Sequence, residues 1–173
     1  MPERASGRGW ARWLLVSAAV VALDLATKAW VAAAFARGEA LDVTGFLRLA
    51  LVYNPGAAFS FLADAGGWQR WFFTAVAVAI SAGIVVMLRR PHERRVVPLA
   101  LALVLGGALG NLWDRVTIGR VVDFVVVHAA GHAFPAFNVA DSAITVGVAL
   151  LVADGVWPRR RGAPARPAPV EEP

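Results

Sequence analysis

Two aspartates near the end of the chain are the residues best placed by type and spacing to do chemistry. Asp123 lies in Gly-Arg-Val-Val-Asp-Phe at 119–124 and Asp141 in Phe-Asn-Val-Ala-Asp-Ser at 137–142, each beside a long apolar stretch. An aspartate at mid-bilayer is unfavourable by roughly 2.5–3.5 kcal/mol, so a carboxylate kept next to a membrane segment is a functional candidate by default. Two of them flanking one loop could bring their carboxylates together, and such a pair can divide one proton and activate a water molecule. Asp141 also has a bland reading: aspartate is favoured as a helix N-cap, and Ser142 could serve the same role. The cap does not account for Asp123, inside Val-Val-Asp-Phe-Val-Val-Val, nor for Asn138 on the approach to Asp141.

Further polar residues interrupt the apolar runs. Asp24 and Lys28 stand four apart with the acid N-terminal, the spacing of an intrahelical ion pair that makes two buried charges tolerable. They could also brace a polar site inside a bundle, with Lys28 snorkelling outward. Gly106, Gly107 and Gly110 suggest close helix packing. Asn111 and Arg115, at i and i+4, would face the same way as the interior polar residues. Asp114 and Arg115 are expected at the interface as an ion pair, and Arg115 could also hold a neighbouring carboxylate by bidentate hydrogen bonds. His128 and His132 share the spacing of a zinc-protease helix, but His-Ala-Ala-Gly-His lacks its glutamate, and Gly131 and Pro135 disfavour a helix, so no metal site is assigned. The chain contains no cysteine, which excludes disulfides, thiolate nucleophiles and Cys-based metal sites. Hydrolase elbows, phosphate-binding loops and dinucleotide fingerprints are absent, as is the Gly-x-Gly-Asp string of presenilin-type intramembrane proteases.

The elements that must position these groups are membrane helices. The 173 residues are 58% hydrophobic with mean hydropathy +0.60, and the apolar excess is concentrated in runs at about 13–36, 71–88, 96–113 and 143–157. Even the shortest covers roughly 20 Å, and with flanking residues each can cross a hydrocarbon layer of about 30 Å. Tryptophans at several ends (Trp10, Trp13, Trp71, Trp113, Trp157) fit an interfacial belt. The net charge of +5 does not mark a nucleic-acid protein, because 11 of the 17 basic residues fall in three clusters abutting apolar runs: Arg4, Arg8 and Arg12; Arg89, Arg90, Arg94 and Arg95; Arg159, Arg160, Arg161 and Arg166. By the positive-inside rule both termini are cytoplasmic, and the segments 37–70 and 114–142 lie outside. The first run resembles a signal peptide in its flanks, but it is too long and is interrupted by Asp24 and Lys28. In the first outer segment, VTGFLRLALVYNPGAAFSF reads as short strands around a turn at Asn54-Pro55-Gly56. Residues 1–161 form one domain, and the Pro-, Ala- and Arg-rich stretch 162–173 reads as a disordered cytoplasmic tail.

Five strings, in order, resemble the bacterial lipoprotein signal peptidase (signal peptidase II) family: DLATK at Asp24–Lys28, NPGAAFSF at Asn54–Phe61, GGALGNLWDR at Gly106–Arg115, GRVVDF at Gly119–Phe124 and FNVADSAI at Phe137–Ile144. The resemblance implies an all-α membrane protein, four transmembrane helices with a small extracytoplasmic β-cradle. It implies an aspartic endopeptidase without metal or cofactor, cleaving diacylglyceryl-modified prolipoproteins before the lipidated cysteine. By the same resemblance Asp123 and Asp141 are catalytic, and Asp24, Lys28, Asn54, Gly56, Asn111, Arg115 and Asn138 support or bind substrate. The implied partners are the prolipoprotein and membrane lipid, with no nucleic acid, for a monomer in the bacterial inner membrane whose active site is at the outer face. The histidines of HAAGHAFPAF are no recognised part of the pattern.

Two other classes fit parts of the sequence. A proton-coupled transporter could use Asp24, Asp123 and Asp141 as a relay. It would be expected to show repeat symmetry and acids distributed across the membrane, neither of which the chain has. A scaffold would use its polar pairs only to fix helix packing.

Overall fold

The computed structural model describes residues 9–56, 67–129 and 131–156. Arg4 and Arg8, the 57–61 end of the second string, Trp157, the arginines at 159–166 and the tail at 162–173 lie outside the described residues. In order the elements are α1 (Ala11–Ala34), β1 (Ala40–Asp42), β2 (Leu47–Asn54), α2 (Trp68–Leu88), α3 (Val96–Thr117), β3 (Val121–Ala129), β4 (His132–Ala133) and α4 (Val139–Val156). All four helices are long and apolar enough to span a membrane.

Helix α3 is the centre of the bundle, with α1, α2 and α4 each packed on it. It can be central because its interior face is small. A Cβ on Gly107 would stand 2.3 Å from the carbonyl oxygen of Ala140, and one on Gly110 would stand 2.6 Å from Asp24 Oδ2. Small residues at these crossings let α4 and the Asp24 carboxylate approach the α3 backbone closely. Such approach drives association in lipid, where burying apolar side chains gains little. Helix α1 buries a narrow stripe, Ser17, Asp24, Lys28 and Val31, and leaves its other faces to lipid, as Leu15 and Leu23 show. Ser17 Oγ adds an interhelical hydrogen bond to the Ala102 carbonyl at 2.8 Å.

At one end of the bundle sits a four-stranded antiparallel sheet in the order β1-β2-β3-β4. Its underside packs on α1 through Val31, Leu51, Val122 and Phe124. Of the strands expected on the two sides of Asn54-Pro55-Gly56, the one before the turn is β2, which pairs with β1 across residues 43–46, and the one after it lies outside the described residues. The second outer segment, read only as Val-rich, supplies the nine-residue β3. Half of the cradle therefore comes from residues whose strand character appears only when β2 is alongside.

One irregularity matters to the site. Leu49 pairs with Val125 and Val52 with Asp123, so β2 spends one more residue than β3 between the two pairs. This bulge reverses the in–out alternation of β2. Asn54, which pairs with Val121, consequently shares a face with Asp123, two pairs along the ladder. Past β4, Phe137 bridges Val125 and returns the chain beside β3 at the start of α4.

Candidate active site

Asp123 and Asp141 come together where β3, the start of α4 and the end of α3 converge. Asp123 projects from the ladder and is 2% exposed, whereas Asp141, in the first turn of α4, is half-buried. Asn138 joins them. Its Nδ2 donates to Asp123 Oδ1 at 2.7 Å, its backbone N–H donates to Asp141 Oδ2 at 3.3 Å, and its Oδ1 accepts from the Asp141 N–H at 2.9 Å. The exchange between 138 and 141 is a capping box with aspartate in the third position. Asn138 is thus the residue that caps α4. Asp141 contributes to the same cap, yet its Oδ1 is left to accept from Asn111 Nδ2 at 2.8 Å. The cap and the dyad are one structure.

Three amides hold the two carboxylates, and each is oriented by a donor on its oxygen side. Asn54 Oδ1 accepts the Gly56 N–H at 2.9 Å, which turns Nδ2 onto Asp123 Oδ2 at 3.0 Å. Gly56 makes that turn at φ +102°, and a Cβ there would meet the Phe73 ring at 2.8 Å. Asn111 Oδ1 accepts Lys28 Nζ at 2.9 Å, leaving its NH2 for Asp141. Asn138 Oδ1 accepts the Asp141 N–H, leaving Nδ2 for Asp123, with Asn111 Oδ1 and the Val122 carbonyl close behind at 3.1 and 3.2 Å.

Burial raises the Asp123 carboxyl to about pH 6; the Asp141 charge adds to the rise, while the Asn54 and Asn138 amides pull the other way. A carboxyl at that value can both hold and release a proton near neutrality.

Behind the dyad lies a second cluster. Lys28 Nζ touches Asp24 Oδ2 at 2.7 Å and Asp114 Oδ2 at 3.0 Å. The pairing of Asp24 with Lys28 agrees with their spacing, but the expected snorkelling does not occur: Lys28 is 3% exposed and points inward. Two carboxylates and Asn111 satisfy the ammonium inside the bundle, so it gains nothing by reaching for water. Asp24 Oδ1 accepts the Ala140 N–H at 2.9 Å, so α1 helps to cap α4.

Asp114 was expected at the interface beside Arg115. It is instead 5% exposed, pairs with Lys28, and accepts the Val122 N–H at 3.0 Å, tying α3 to β3. The reason is that α3 runs a turn further than the apolar run, to Thr117, and keeps 114 on its interior face. Gly107, Gly110, Asn111 and Asp114 follow i, i+3, i+4, i+7, a signal that could have identified Asp114. Arg115 donates to the Asn111 carbonyl at 3.2 Å and lies over the Phe73 ring at 5.5 Å. Among the described residues it hydrogen-bonds no carboxylate, so the bidentate lock is not formed. Its charge nevertheless lies near both Asp123 and Asp141. Phe73, which carries both Gly56 and Arg115, had no signal in the sequence beyond being aromatic.

His128 and His132 sit at the β3–β4 hairpin, away from the dyad. Among the described residues no three metal-ligating side chains gather.

The family model described as signal peptidase (SPase) II matches residues 16–157. The lipoprotein signal peptidase of Azoarcus sp. strain BH72 is 49% identical over 155 residues, covering 90% of this chain and 86% of that protein. The lipoprotein signal peptidase of Cupriavidus necator is 51% identical over 149 residues, covering 86% and 85%. A solved structure described as a bacterial membrane enzyme, determined by the in meso method at 2.3 Å, superposes with a TM-score of 0.76 at 31% identity, covering 88% of this chain and 94% of that one.

Proposed function

The chain belongs to the signal peptidase II family, and on that premise we propose that Asp123 and Asp141 are the catalytic dyad of a membrane aspartic peptidase. It is a bacterial multi-pass membrane protease that removes signal peptides from prolipoproteins. The observation that carries the assignment of residues is Asn138, which holds both aspartates at once.

In this reading Asp141, the more open carboxylate, takes a proton from the attacking water while the water oxygen bonds to the scissile carbonyl carbon. Asp123 holds the shared proton and gives it to the developing oxyanion. Collapse of the tetrahedral intermediate breaks the C–N bond: Asp141 gives its proton to the departing amide nitrogen, and one hydroxyl of the intermediate returns its proton to Asp123 as the carbonyl re-forms, which restores both carboxyl groups to their starting states. Asn54, Asn111 and Asn138 keep the carboxylates aimed. Arg115 supplies positive charge beside the negative charge that develops. Asp24 and Lys28 act from behind, through Asn111 and the Ala140 N–H.

The bond cut is the one preceding a diacylglyceryl-modified cysteine. The active site faces the outer surface, where acyl chains remain in lipid while the peptide meets water. Both termini are cytoplasmic, residues 1–161 act as one domain, the tail is dispensable, and the enzyme works as a monomer.

Two measurements test this. Purified protein should release the signal peptide from a lipid-modified prolipoprotein and leave the unmodified precursor intact; cleavage of both alike would remove the lipid from the proposal. In intact spheroplasts, a membrane-impermeant thiol reagent should label Arg37→Cys but not Glu93→Cys. The opposite pattern would overturn the orientation.

A further inference from the structure

At the end of the bundle opposite the aspartates, the start of α1, the end of α2 and the loop into α3 enclose a cavity of about 590 Å³. Five arginines line it: Arg12, Arg89, Arg90, Arg94 and Arg95. Arg94 is paired with Asp154 at 3.0 Å. The other four have no carboxylate partner among the described residues. Topology alone calls for positive charge at this end, but it does not call for a cavity around which the charges converge.

The side chains are also disposed to receive a ligand. The Arg89 guanidinium lies over the Trp10 ring at 5.3 Å, and that of Arg12 over the Trp13 ring at 5.2 Å. A stacked guanidinium has its face covered and its N–H donors directed sideways, the arrangement that suits a phosphate oxygen. On the same helix ends Leu15 of α1 and Val86 and Met87 of α2 are exposed on the lipid-facing sides. Helices α1 and α2 each pack on α3 but scarcely on one another. The cavity therefore lies beside apolar helix surface that meets acyl chains in a bilayer.

We propose that this cavity binds the phosphodiester headgroup of an anionic phospholipid, with its acyl chains against the exposed apolar faces of α1 and α2. A free phosphate shares the headgroup chemistry but has no use for the apolar surface beside it, and a basic cavity at the end of membrane-spanning helices favours the lipid. The site is separate from the catalytic centre, and it depends on the helices spanning a bilayer but not on which leaflet this end occupies. Failure of peptidase function and failure of lipid binding are therefore distinguishable.

The experiment is native mass spectrometry of the full-length protein in detergent, presented with equal amounts of phosphatidylglycerol and phosphatidylethanolamine. Wild type should retain phosphatidylglycerol about tenfold better. The double variant Arg90→Gln/Arg95→Gln should lose that preference while still cleaving prolipoprotein, and Arg90→Lys/Arg95→Lys should keep part of it. Excess inorganic phosphate should not displace the lipid. If the glutamine variant fails to insert, Gly9→Phe replaces it. A side chain there starts in open space at the cavity and leaves every charge in place, and the same loss is expected. No preference in wild type, a preference untouched in the variant that folds, or displacement by inorganic phosphate would each overturn the proposal.

Discussion

The interior of this protein holds two carboxylate clusters a few residues apart, and they differ in what holds them. Asp24 and Asp114 grip a buried ammonium, Lys28, and their remaining contacts are backbone N–H groups of α4 and β3. Asp123 and Asp141 touch no cation among the described residues; their partners are side-chain amides and one backbone N–H. Each carboxylate of the first cluster is matched to a buried ammonium, so removing either partner would strand the other's charge inside the bundle. One held by neutral amides keeps its place in either protonation state. On the proposed mechanism the same side chain serves as a rivet in one cluster and as a proton carrier in the other. Asn111 joins them, its oxygen on Lys28 and its nitrogen on Asp141.

The largest expected effect is on the proton carriers. Asp123→Asn and Asp141→Asn should each lower the cleavage rate by about 10²–10⁴-fold, the range of general acid–base catalysis, while the protein still accumulates in the membrane. The double variant should be little worse than either single one, since the two act as a unit. Additive losses in a turnover assay would separate them into independent residues and dissolve the contrast between the clusters.

The rivet should fail differently. Lys28→Met leaves Asp24 and Asp114 facing each other without a counter-charge, at about 3–5 kcal/mol for breaking a buried pair. The expected result is poor yield and a lower unfolding temperature, a larger effect than the loss of rate per folded enzyme that follows from freeing the Asn111 amide. A stable Lys28→Met enzyme with a specific loss of kcat would move Lys28 into the catalytic group.

Titration gives a finer contrast. Burial holds the Asp123 carboxyl near 6, above its ordinary 3.8, so the native state carries a penalty when that group is ionised. The penalty is absent below about pH 4, grows between 4 and 6, and is complete above 6, where it amounts to at most about 3 kcal/mol. Asp123→Asn removes it. Relative to wild type, the variant should gain thermal stability at pH 8 and lose that advantage as the pH falls from 6 to 4. A difference that does not change with pH would show that Asp123 is not the strained carboxylate.

Asn138 sits on the boundary between holding and carrying. Asn138→Ala removes a helix cap, a loss of about 0.5–2 kcal/mol, and also the tether between the aspartates. Asn138→Ser restores the capping oxygen without reaching Asp123. It should recover the unfolding temperature and not the activity, and recovery of both would reduce Asn138 to a cap.

Much of this site was legible in the residues themselves. The i, i+4 spacing of Asp24 and Lys28 gave their ion pair, and the apolar runs located four helices to within a few residues at most ends. The Asn54-Pro55-Gly56 turn was visible because few residue types accept its backbone. Other features depended on partners distant in the chain. Asp114 looked like an interface residue until α3 was seen to continue past it, and β3 could not be told from a generic Val-rich stretch until β2 lay beside it. Whether Lys28 reached for water or turned inward depended on Asp114, 86 positions away.

Charge patterning, hydrophobic run length and local spacing are properties of the chain, and they were enough for the spans, the expected orientation and the candidate carboxylates. Which carboxylates meet the buried lysine and which meet only amides follows from the folded arrangement. That division is made by contacts between α1, α3, β2, β3 and α4: a lysine from one helix, amides from a strand, a helix and a cap, and a one-residue bulge that turns Asn54 toward Asp123. The physical reason is that a carboxyl group's role is set by its immediate dielectric and donors, and folding assembles both from segments that do not adjoin in the sequence.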